Sequence, residues 1–310
     1  ILRWDIRHDL QPFDMSTFEV LLGTDIETEV GSWTPIHEGL QHSTPKVLDI
    51  FQKHGVTGTF YFVGLSAKQV PESVLQVKDA GHEIGAHSLY HETVGDEIFS
   101  IPGVHPLLPH EVKPRLELNT QWIEEICGRR PVSFRCPRLF GSTAVCNALE
   151  DLGYVSDASY PLYHYRERLE PYHPSQENWT KRGAIKLVEI PNFADLSIES
   201  KDPVGRDCDQ WPLFRTESAE ALLKHADSYL RYLDARGISR RVLAFYFHPW
   251  EFWPMPEGLI HFGEGGVLPD PFITKNCGEY ALEQFDRLLA GLVERGAEFK
   301  TAAEIAARTP

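Results

Sequence analysis

Short runs of apolar, β-branched and aromatic residues recur along this chain, and most are followed by a stretch with helical periodicity. Such an alternation is typical of successive strands and helices. The predicted strands are FEVLLGT (18–24), TGTFYFV (57–63), HEIGA (82–86), VSFR (132–135), YVSDA (154–158), KLVEI (186–190), VLAFYF (242–247) and AEFKT (297–301).

Helical patterns lie between most of these runs, and several end at a glycine. The predicted helices occupy residues 44–55, with Thr44 as the capping residue, and 71–81, 109–128, 142–153, 217–237 and 276–296. Seven or eight strand–helix units predict a mainly parallel sheet that closes, or nearly closes, into a barrel. We therefore expect one α/β domain over residues 1–310, with an N-terminal extension at 1–17 and long insertions at 92–109 and 194–215 that form lids or substrate walls.

The charge balance limits the classes of partner. The chain has 30 Lys and Arg residues against 45 Asp and Glu residues, a formal net charge of −15. This balance argues against nucleic acid and against an anionic membrane surface as partners, and no apolar run is long enough to span a membrane. A glycan or a small neutral or cationic molecule is easier to reconcile with it, and a homo-oligomer is left open.

The cysteines form neither a metal-binding pair nor an evident disulfide framework, because they are odd in number and widely scattered. We interpret them as free thiols in a reducing compartment. No secretion signal is visible in ILRWDIRHDL, so the sequence predicts a cytoplasmic location. The cysteines are Cys127, Cys136, Cys146, Cys208 and Cys277.

Candidate catalytic residues follow the predicted strands, where a barrel enzyme assembles its active site. Asp25 and Glu27 follow the first strand and point to the same side of an extended chain. Together they predict either a metal ligand next to a free base or only an acidic solvated loop. His87 and His91 follow the third strand; on a helical turn they would share one face and reach one ion, although a chance pair is the alternative.

Three later strands are also followed by candidate residues. Arg135 ends the fourth strand, where its guanidinium needs a carboxylate, and Asp25 is the candidate partner. Asp157 and Tyr160 follow the fifth strand, and Asp157 alone would indicate only a turn. His248 emerges from the seventh strand, with a buried structural histidine as the alternative. Beyond it, Trp250, Phe252 and Trp253 form a predicted aromatic lip that stacks on a sugar face or closes the core.

With these motifs in order, the sequence resembles the polysaccharide deacetylase family, the carbohydrate esterases with a NodB homology domain. The resemblance covers residues 18 to 305, nearly the whole chain, and rests on TDIE, GHEIGAHSLYH, FRCP, DASYP and FHPWE. It implies a distorted (β/α)7 TIM-like barrel and a divalent metal ion, usually zinc.

The resemblance also implies roles for individual residues. Asp25 is implied as the base, His248 as the acid, and Glu27, His87 and His91 as the metal ligands. Arg135 is implied to orient the base, with Asp157 in a supporting role. For the substrate we expect contacts from Arg138, Tyr160, Trp250 and Trp253, and an oxyanion donor in the backbone near Arg138.

Two departures from the family pattern keep alternatives open. The TDIE motif leaves open whether Asp25 or Glu27 binds the metal, and Arg138 stands where many members have tyrosine. The expected activity is removal of an N-acetyl group from a glycan or amino sugar. The first alternative is an allantoinase-like or deformylase-like hydrolase of a small cyclic or formyl amide, which includes metal-free relatives. The second is a non-catalytic glycan-binding barrel.

Overall fold

A computed structural model describes residues 17–310, so residues 1–16 of the predicted N-terminal extension lie outside the described residues. The strands are β1 Phe18–Ile26, β2 Thr59–Phe62, β3 Glu83–Ala86, β4 Ser133–Phe134, β5 Ser156–Asp157, β6 Val188–Glu189, β7 Val242–Phe247, β8 Ile260–Phe262, β9 Gly265–Val267 and β10 Ala297–Phe299. Each predicted strand has a counterpart among them, whereas the β8–β9 hairpin was not predicted.

The helices follow most of the predicted strands. They are α1 Glu29–Ser32, α2 Glu38–His54, α3 Gly64–Gln69, α4 Pro71–Asp79, α5 Pro109–Cys127, α6 Thr143–Asp151, α7 Leu162–Tyr165, α8 Leu213–Thr216, α9 Ala219–Asp234, α10 Pro271–Thr274, α11 Glu279–Glu294 and α12 Ala302–Ala307. Among residues 17–310, no helix combines the length and apolar character needed to cross a membrane.

The sheet curls into the predicted distorted (β/α)7 barrel. Strands β1 to β6 pair in parallel in sequence order, β7 pairs in parallel with β1, and a single parallel bridge joins Asn192 to Ala244 of β7. An eighth parallel strand, β10, pairs with the start of β1. Because the strands are parallel, their C-terminal ends all meet at the same mouth of the barrel.

The core packs between the sheet and the surrounding helices. Every residue of β2 and β7 is buried, which explains why both read as continuous apolar runs rather than alternating ones. The main helices α2, α9 and α11 bury one face each, as their amphipathic patterns predict. The five cysteines are free, as expected from the sequence.

The predicted start of the first long helix was wrong. Thr44 does not cap it, because α2 already begins at Glu38 and runs through Pro45. The Thr44 hydroxyl instead donates to the Leu40 carbonyl at 2.6 Å, one turn back within the helix. Capping by Thr44 was inferred from the Thr-Pro pair alone, and the apolar contacts of the preceding turn, including buried Leu40, extend the helix beyond that signal.

Candidate active site

The barrel mouth brings five predicted residues together at one cavity. Asp25 lies near the end of β1 and Glu27 just beyond it, while His87, His91 and His248 follow β3 and β7. Four of these side chains are buried, and the imidazole of His248 is 12% exposed. The cavity has a volume of about 360 Å³, which lies in the range of small-molecule sites.

Glu27 is the carboxylate closest to the histidine pair. Its Oε2 lies 2.5 Å from Nε2 of His91 and 3.9 Å from Nε2 of His87. Its Oε1 accepts a hydrogen bond from the Trp250 indole N–H at 3.0 Å. Burial opposes ionisation of this carboxyl, but the imidazoles of His91, His248 and His87 outweigh burial and hold the pKa of Glu27 below its usual range.

The donor set of Glu27, His87 and His91 fits a divalent transition-metal ion. Its ligand atoms all lie within 4.8 Å of one another. His87 Nδ1 lies 2.7 Å from the Arg135 carbonyl oxygen, so that nitrogen carries the proton and the Nε2 lone pair faces Glu27. Burial also lowers the pKa of His87 to about 4, which favours the neutral imidazole that binds metals. Two imidazoles and one carboxylate are ligands that zinc accepts.

The two histidines do not lie on a helical turn, so the predicted reason for their proximity was wrong. Residues 87–91 form a series of bends, and Ser88 (φ 64°) and His91 (φ 60°) adopt left-handed backbone conformations. These conformations fold the chain back and place the imidazole centroids 5.1 Å apart. Strained non-glycine residues often occur at functional sites, because the surrounding structure must hold them in place.

Asp25 is held by the arginine that the sequence suggested for it. Arg135 Nη1 donates to Asp25 Oδ1 at 2.9 Å, Nε donates to the Ala158 carbonyl at 3.0 Å and Nη2 to Asn192 Oδ1 at 3.1 Å. Burial alone would lower the pKa of Arg135, but the Asp25 carboxylate raises it above the usual value. Gly23 makes room for this guanidinium, because a Cβ there would lie 2.1 Å from Nη1.

His248 is oriented by residues that the sequence reasoning missed. Its Nδ1 lies 2.9 Å from Glu251 Oε1, and Glu251 also accepts from Arg215 Nε at 2.5 Å and from the Trp211 indole at 3.0 Å. Burial opposes protonation, but the carboxylates of Glu27 and Glu251 raise the pKa of His248 above its usual value. Glu251 stands in the quoted FHPWE motif three residues after His248, which is the signal that could have identified it.

Both long insertions contribute to the cavity wall, as predicted. The first insertion supplies Phe99 and Ile101, and the second supplies Arg206 and Trp211. Arg138, another predicted substrate contact, also lines the cavity. The unpredicted hairpin region adds a further wall through residues 267–270 and Ile273. Three separate chain segments therefore enclose the space above the carboxylates and imidazoles.

The three residues of the predicted aromatic lip do not form one surface. Residues Pro249–Phe252 form a 3-10 turn, which sends the successive aromatic side chains in different directions. Trp250 is buried in the cavity wall and donates to Glu27, while Phe252 packs in the core. Trp253 stacks on His42 of α2, with ring centroids 4.9 Å apart, and does not line the cavity.

Tyr160 and Asp157 also lie away from the cavity. Tyr160 is fully buried in an aromatic cluster with Tyr165, Tyr172 and Trp179, so its predicted substrate contact was wrong. The chain turns after β5 because Glu189 accepts the backbone N–H groups of Ser159 and Tyr160, and this turn directs Tyr160 inward. Asp157 accepts from the Ser159 hydroxyl behind Arg135, where a direct contact with substrate is excluded by its burial.

Comparisons with known proteins agree with this combination of barrel and site. The sequence model described as polysaccharide deacetylase matches residues 34–156. A peptidoglycan-N-acetylmuramic acid deacetylase of Bacillus subtilis is 32% identical over 112 residues, which are 36% of this chain and 39% of that protein. The chain thus matches well under two thirds of the length of this relative. Residues 34–156 of this chain are therefore similar to the polysaccharide deacetylase family.

Solved structures show the same fold at low sequence identity. A structure described as a putative polysaccharide deacetylase from Mycobacterium smegmatis has a TM-score of 0.60 at 18% identity, covering 99% of this chain and 92% of that one. A structure described as Puue allantoinase has a TM-score of 0.59 at 12% identity, covering 93% of this chain and 89% of that one. These likenesses confirm the fold class, a distorted α/β barrel.

Proposed function

We propose that the protein is a metal-dependent hydrolase that removes an N-acetyl group from a glycan or amino-sugar substrate, releasing acetate and a free amine. The observation that carries the proposal is that one cavity combines the donor set of Glu27, His87 and His91 with Asp25 and His248. Arg135 holds Asp25, and Glu251 holds His248. The deacetylase name of the Bacillus relative supports the reaction class.

The geometry supports Glu27 rather than Asp25 as the carboxylate of the metal site. Glu27 groups with both histidines, whereas Asp25 Oδ1 is occupied by Arg135. Asp25 Oδ2 lies 4.0 Å from Nε2 of both His87 and His248 and is therefore positioned at the centre of the site. When bound, a divalent ion supplies Lewis acidity that polarises the amide carbonyl and acidifies water.

Asp25 acts as the general base in this proposal. Its Oδ2 accepts the proton of the attacking water, while the oxygen of that water forms the new bond to the carbonyl carbon. Arg135 fixes the orientation of Asp25, because one guanidinium nitrogen is bonded to the carboxylate and the others to fixed backbone and side-chain oxygens.

His248 acts as the general acid. Glu251 accepts from Nδ1, so the protonated Nε2 faces the cavity and can donate to the amide nitrogen as the C–N bond breaks. This proton is needed because an amide anion is too basic to leave unaided. Arg215 and Trp211 fix Glu251 and thereby fix the imidazole.

A hydrolase of a small cyclic or formyl amide is the second candidate. The observation that favours it is the compact cavity, since loops from both insertions and from the hairpin region surround the carboxylates and leave a volume of about 360 Å³. A polymer would need an open groove at this mouth, whereas one sugar unit or one small amide matches this volume.

The test compares zinc-loaded protein on N-acetylglucosamine oligomers and on a cyclic ureide. We expect release of acetate from the first substrate, and D25N should lower turnover by at least about 100-fold without loss of metal. D151N, which changes an exposed aspartate outside the cavity, is the matched control. Ring opening of the ureide alone would select the second candidate, and failure on both substrates would contradict the amide-hydrolase proposal.

A further inference from the structure

Arg138 presents a cation to the cavity without a carboxylate partner. Its Nη1 donates to the His91 carbonyl at 3.1 Å and lies 3.5 Å from Thr93 Oγ1, and both acceptors are uncharged. The guanidinium also lies 5.6 Å from the ring centroid of Trp33, which lines the same cavity. Among residues 17–310, no carboxylate oxygen is paired with it within 4.0 Å.

Arg138 is half-buried, whereas two arginines that are fully buried at this end of the barrel are each paired with a carboxylate. Arg135 donates to Asp25 at 2.9 Å, and Arg215 donates to Glu251 at 2.5 Å. Taking a cation out of water is costly unless an anion compensates it, and a guanidinium offers five N–H donors. Within the described part of the chain, residues 17–310, Arg138 uses Nη1 alone for its hydrogen bonds, so its Nε and Nη2 donors remain for a ligand.

A second arginine lines the same cavity. Arg206 lies over the ring faces of Tyr163, Phe99 and Trp211 at 5.2 to 5.8 Å, and its Nε is 3.8 Å from Asp209. Asp209 is shared, because it also accepts from the Tyr246 hydroxyl. Arg206 is therefore compensated by Asp209, unlike Arg138, which has no carboxylate within 4.0 Å among residues 17–310.

Among residues 17–310, the carboxylates that line the cavity form no ion pair with Arg138 within 4.0 Å, although the charge of Glu27 acts on it from a greater distance. Asp25 is paired with Arg135, and Glu27 lies in the donor set with the histidines. Asp270 lies on the hairpin side, where its Oδ1 caps α10 by accepting from the Phe272 N–H at 2.8 Å. The position that Arg138 faces is therefore suited to an anionic group that arrives with the substrate.

From this arrangement we infer that the amide substrate carries a carboxylate that binds to Arg138, within one sugar unit or one small-molecule length of the amide bond. The inference rests on the proposed amide hydrolysis and narrows its substrate class. Arg138 contacts the backbone of His91, so the bound carboxylate lies next to the donor set. A planar guanidinium binds a carboxylate through two parallel hydrogen bonds, which fixes orientation as well as affinity.

Two chemical sources could supply this carboxylate, an acidic amino sugar or a small acidic amide. The first pair of probes is N-acetylmuramic acid and N-acetylglucosamine, which differ by an acidic ether group. The second pair is N-acetylalanine and N-isopropylacetamide, in which a methyl group replaces the carboxylate. The zinc-loaded protein should hydrolyse the acidic member of one pair with a higher kcat/KM than its neutral member. That pair identifies the source of the carboxylate.

We expect the acidic member of one pair to be preferred by about 10- to 100-fold, the usual effect of a hydrogen-bonded charge pair. R138M should remove this preference, so that the ratio of kcat/KM for the acid to kcat/KM for the neutral substrate falls to about one. R138K, which keeps the charge but loses the planar fork, should be intermediate. R182M, at an exposed arginine outside the cavity, should change neither substrate.

Binding separates failure of this inference from failure of the proposed reaction. Calorimetry on zinc-loaded D25N measures affinity for both pairs without turnover. Preference for the acids there, with no hydrolysis by the unmodified protein, would support the carboxylate site and contradict amide hydrolysis. Equal binding of acid and neutral members, or an equal loss of both in R138M, would overturn the inference and leave Arg138 only a structural role in holding the His91 loop.

Discussion

Two buried clusters of the barrel have three potential metal ligands each, yet they differ in what neutralises their carboxylates. The first is Glu27, His87 and His91, which lines the cavity; the second is Cys146, Asp157 and Glu189, which is sealed behind it. We name them the mouth cluster and the inner cluster. Every carboxylate and imidazole of the two clusters ends or follows a parallel strand, and Cys146 lies in α6, so position in the barrel alone does not distinguish the carboxylates.

The local contacts do distinguish them. In the inner cluster, Glu189 accepts the backbone N–H groups of Ser159 at 2.9 Å and Tyr160 at 2.7 Å, and Asp157 accepts the Ser159 hydroxyl. Burial raises the pKa of Asp157 to about 7, and burial together with Asp157 raises the pKa of Glu189 well above its usual range. We therefore expect a proton shared by the two carboxyls to neutralise the inner cluster.

In the mouth cluster, by contrast, the carboxylate stays ionised and faces two imidazoles. The pKa of Glu27 is low despite burial, and His87 is fixed in the tautomer that directs a lone pair towards it. The comparison teaches that a buried carboxylate can be compensated either by a proton or by a cation. Imidazole ligands and access to the cavity favour the cation at the mouth cluster.

The largest expected effect comes from removing one imidazole of the mouth cluster. We expect about one divalent ion per reconstituted chain and a loss of affinity of at least about 100-fold in H87A, because removing even a partner of a metal ligand costs 10- to 100-fold. Inductively coupled plasma mass spectrometry after dialysis measures the metal content.

C146S tests whether the inner cluster holds the metal ion. It removes the thiol of the inner cluster and should leave the metal content unchanged if a proton occupies that cluster. Metal loss in C146S equal to that in H87A would reverse the assignment of the two clusters. Retention of the ion by H87A would show that the mouth cluster does not hold it.

The next largest effect is expected from His248, which lies beside the mouth cluster but should not bind the metal. H248A should lower kcat by about 100-fold or more while sparing the metal, because the imidazole donates a proton to the leaving amine. Turnover of the preferred amide and metal content are measured on the same preparation. Loss of metal would make His248 a ligand instead, and H261A, at an exposed histidine of β8, should change neither quantity.

Sequence reasoning predicted the parts of the site that depend on strand order. It failed where local backbone geometry sets the direction of a side chain. Asp25, His87, Arg135 and His248 each lie at or just after the end of a strand, so the parallel barrel brings them to the same mouth. The contact between Arg135 and Asp25 was predictable for the same reason, because a buried guanidinium needs a carboxylate.

Side-chain direction within the turns was not predictable in this way. A 3-10 turn separates the directions of Trp250 and Trp253, and two left-handed residues replace the expected helical turn between His87 and His91. Partners distant in sequence were also missed. Arg215 meets Glu251 across 36 positions, and no pattern local to either residue indicates the contact.

The smallest expected effect is the pH dependence that the inner cluster contributes to the free energy of unfolding. A carboxyl whose pKa is raised by folding binds its proton more tightly in the native state. It therefore stabilises the fold below its unfolded pKa near 4, and that stability is lost as pH rises through about 7. D157N replaces the protonated carboxyl with a neutral amide, so the variant should gain stability relative to the unmodified protein as pH rises from 5 to 8.

We expect the difference in free energy of unfolding between D157N and the unmodified protein to change by about 1 to 3 kcal/mol over this range. Urea denaturation of chelator-treated protein at several pH values measures it. The other titratable groups facing the pair are Tyr61, Arg135, Cys136, Cys146, Tyr165 and Tyr172. Only the carboxyls titrate in this window, because burial raises the pKa of both thiols and of the three phenols. A pH-independent difference, as expected for the exposed control D151N, would refute the shared proton and return the inner cluster to consideration as a cation site.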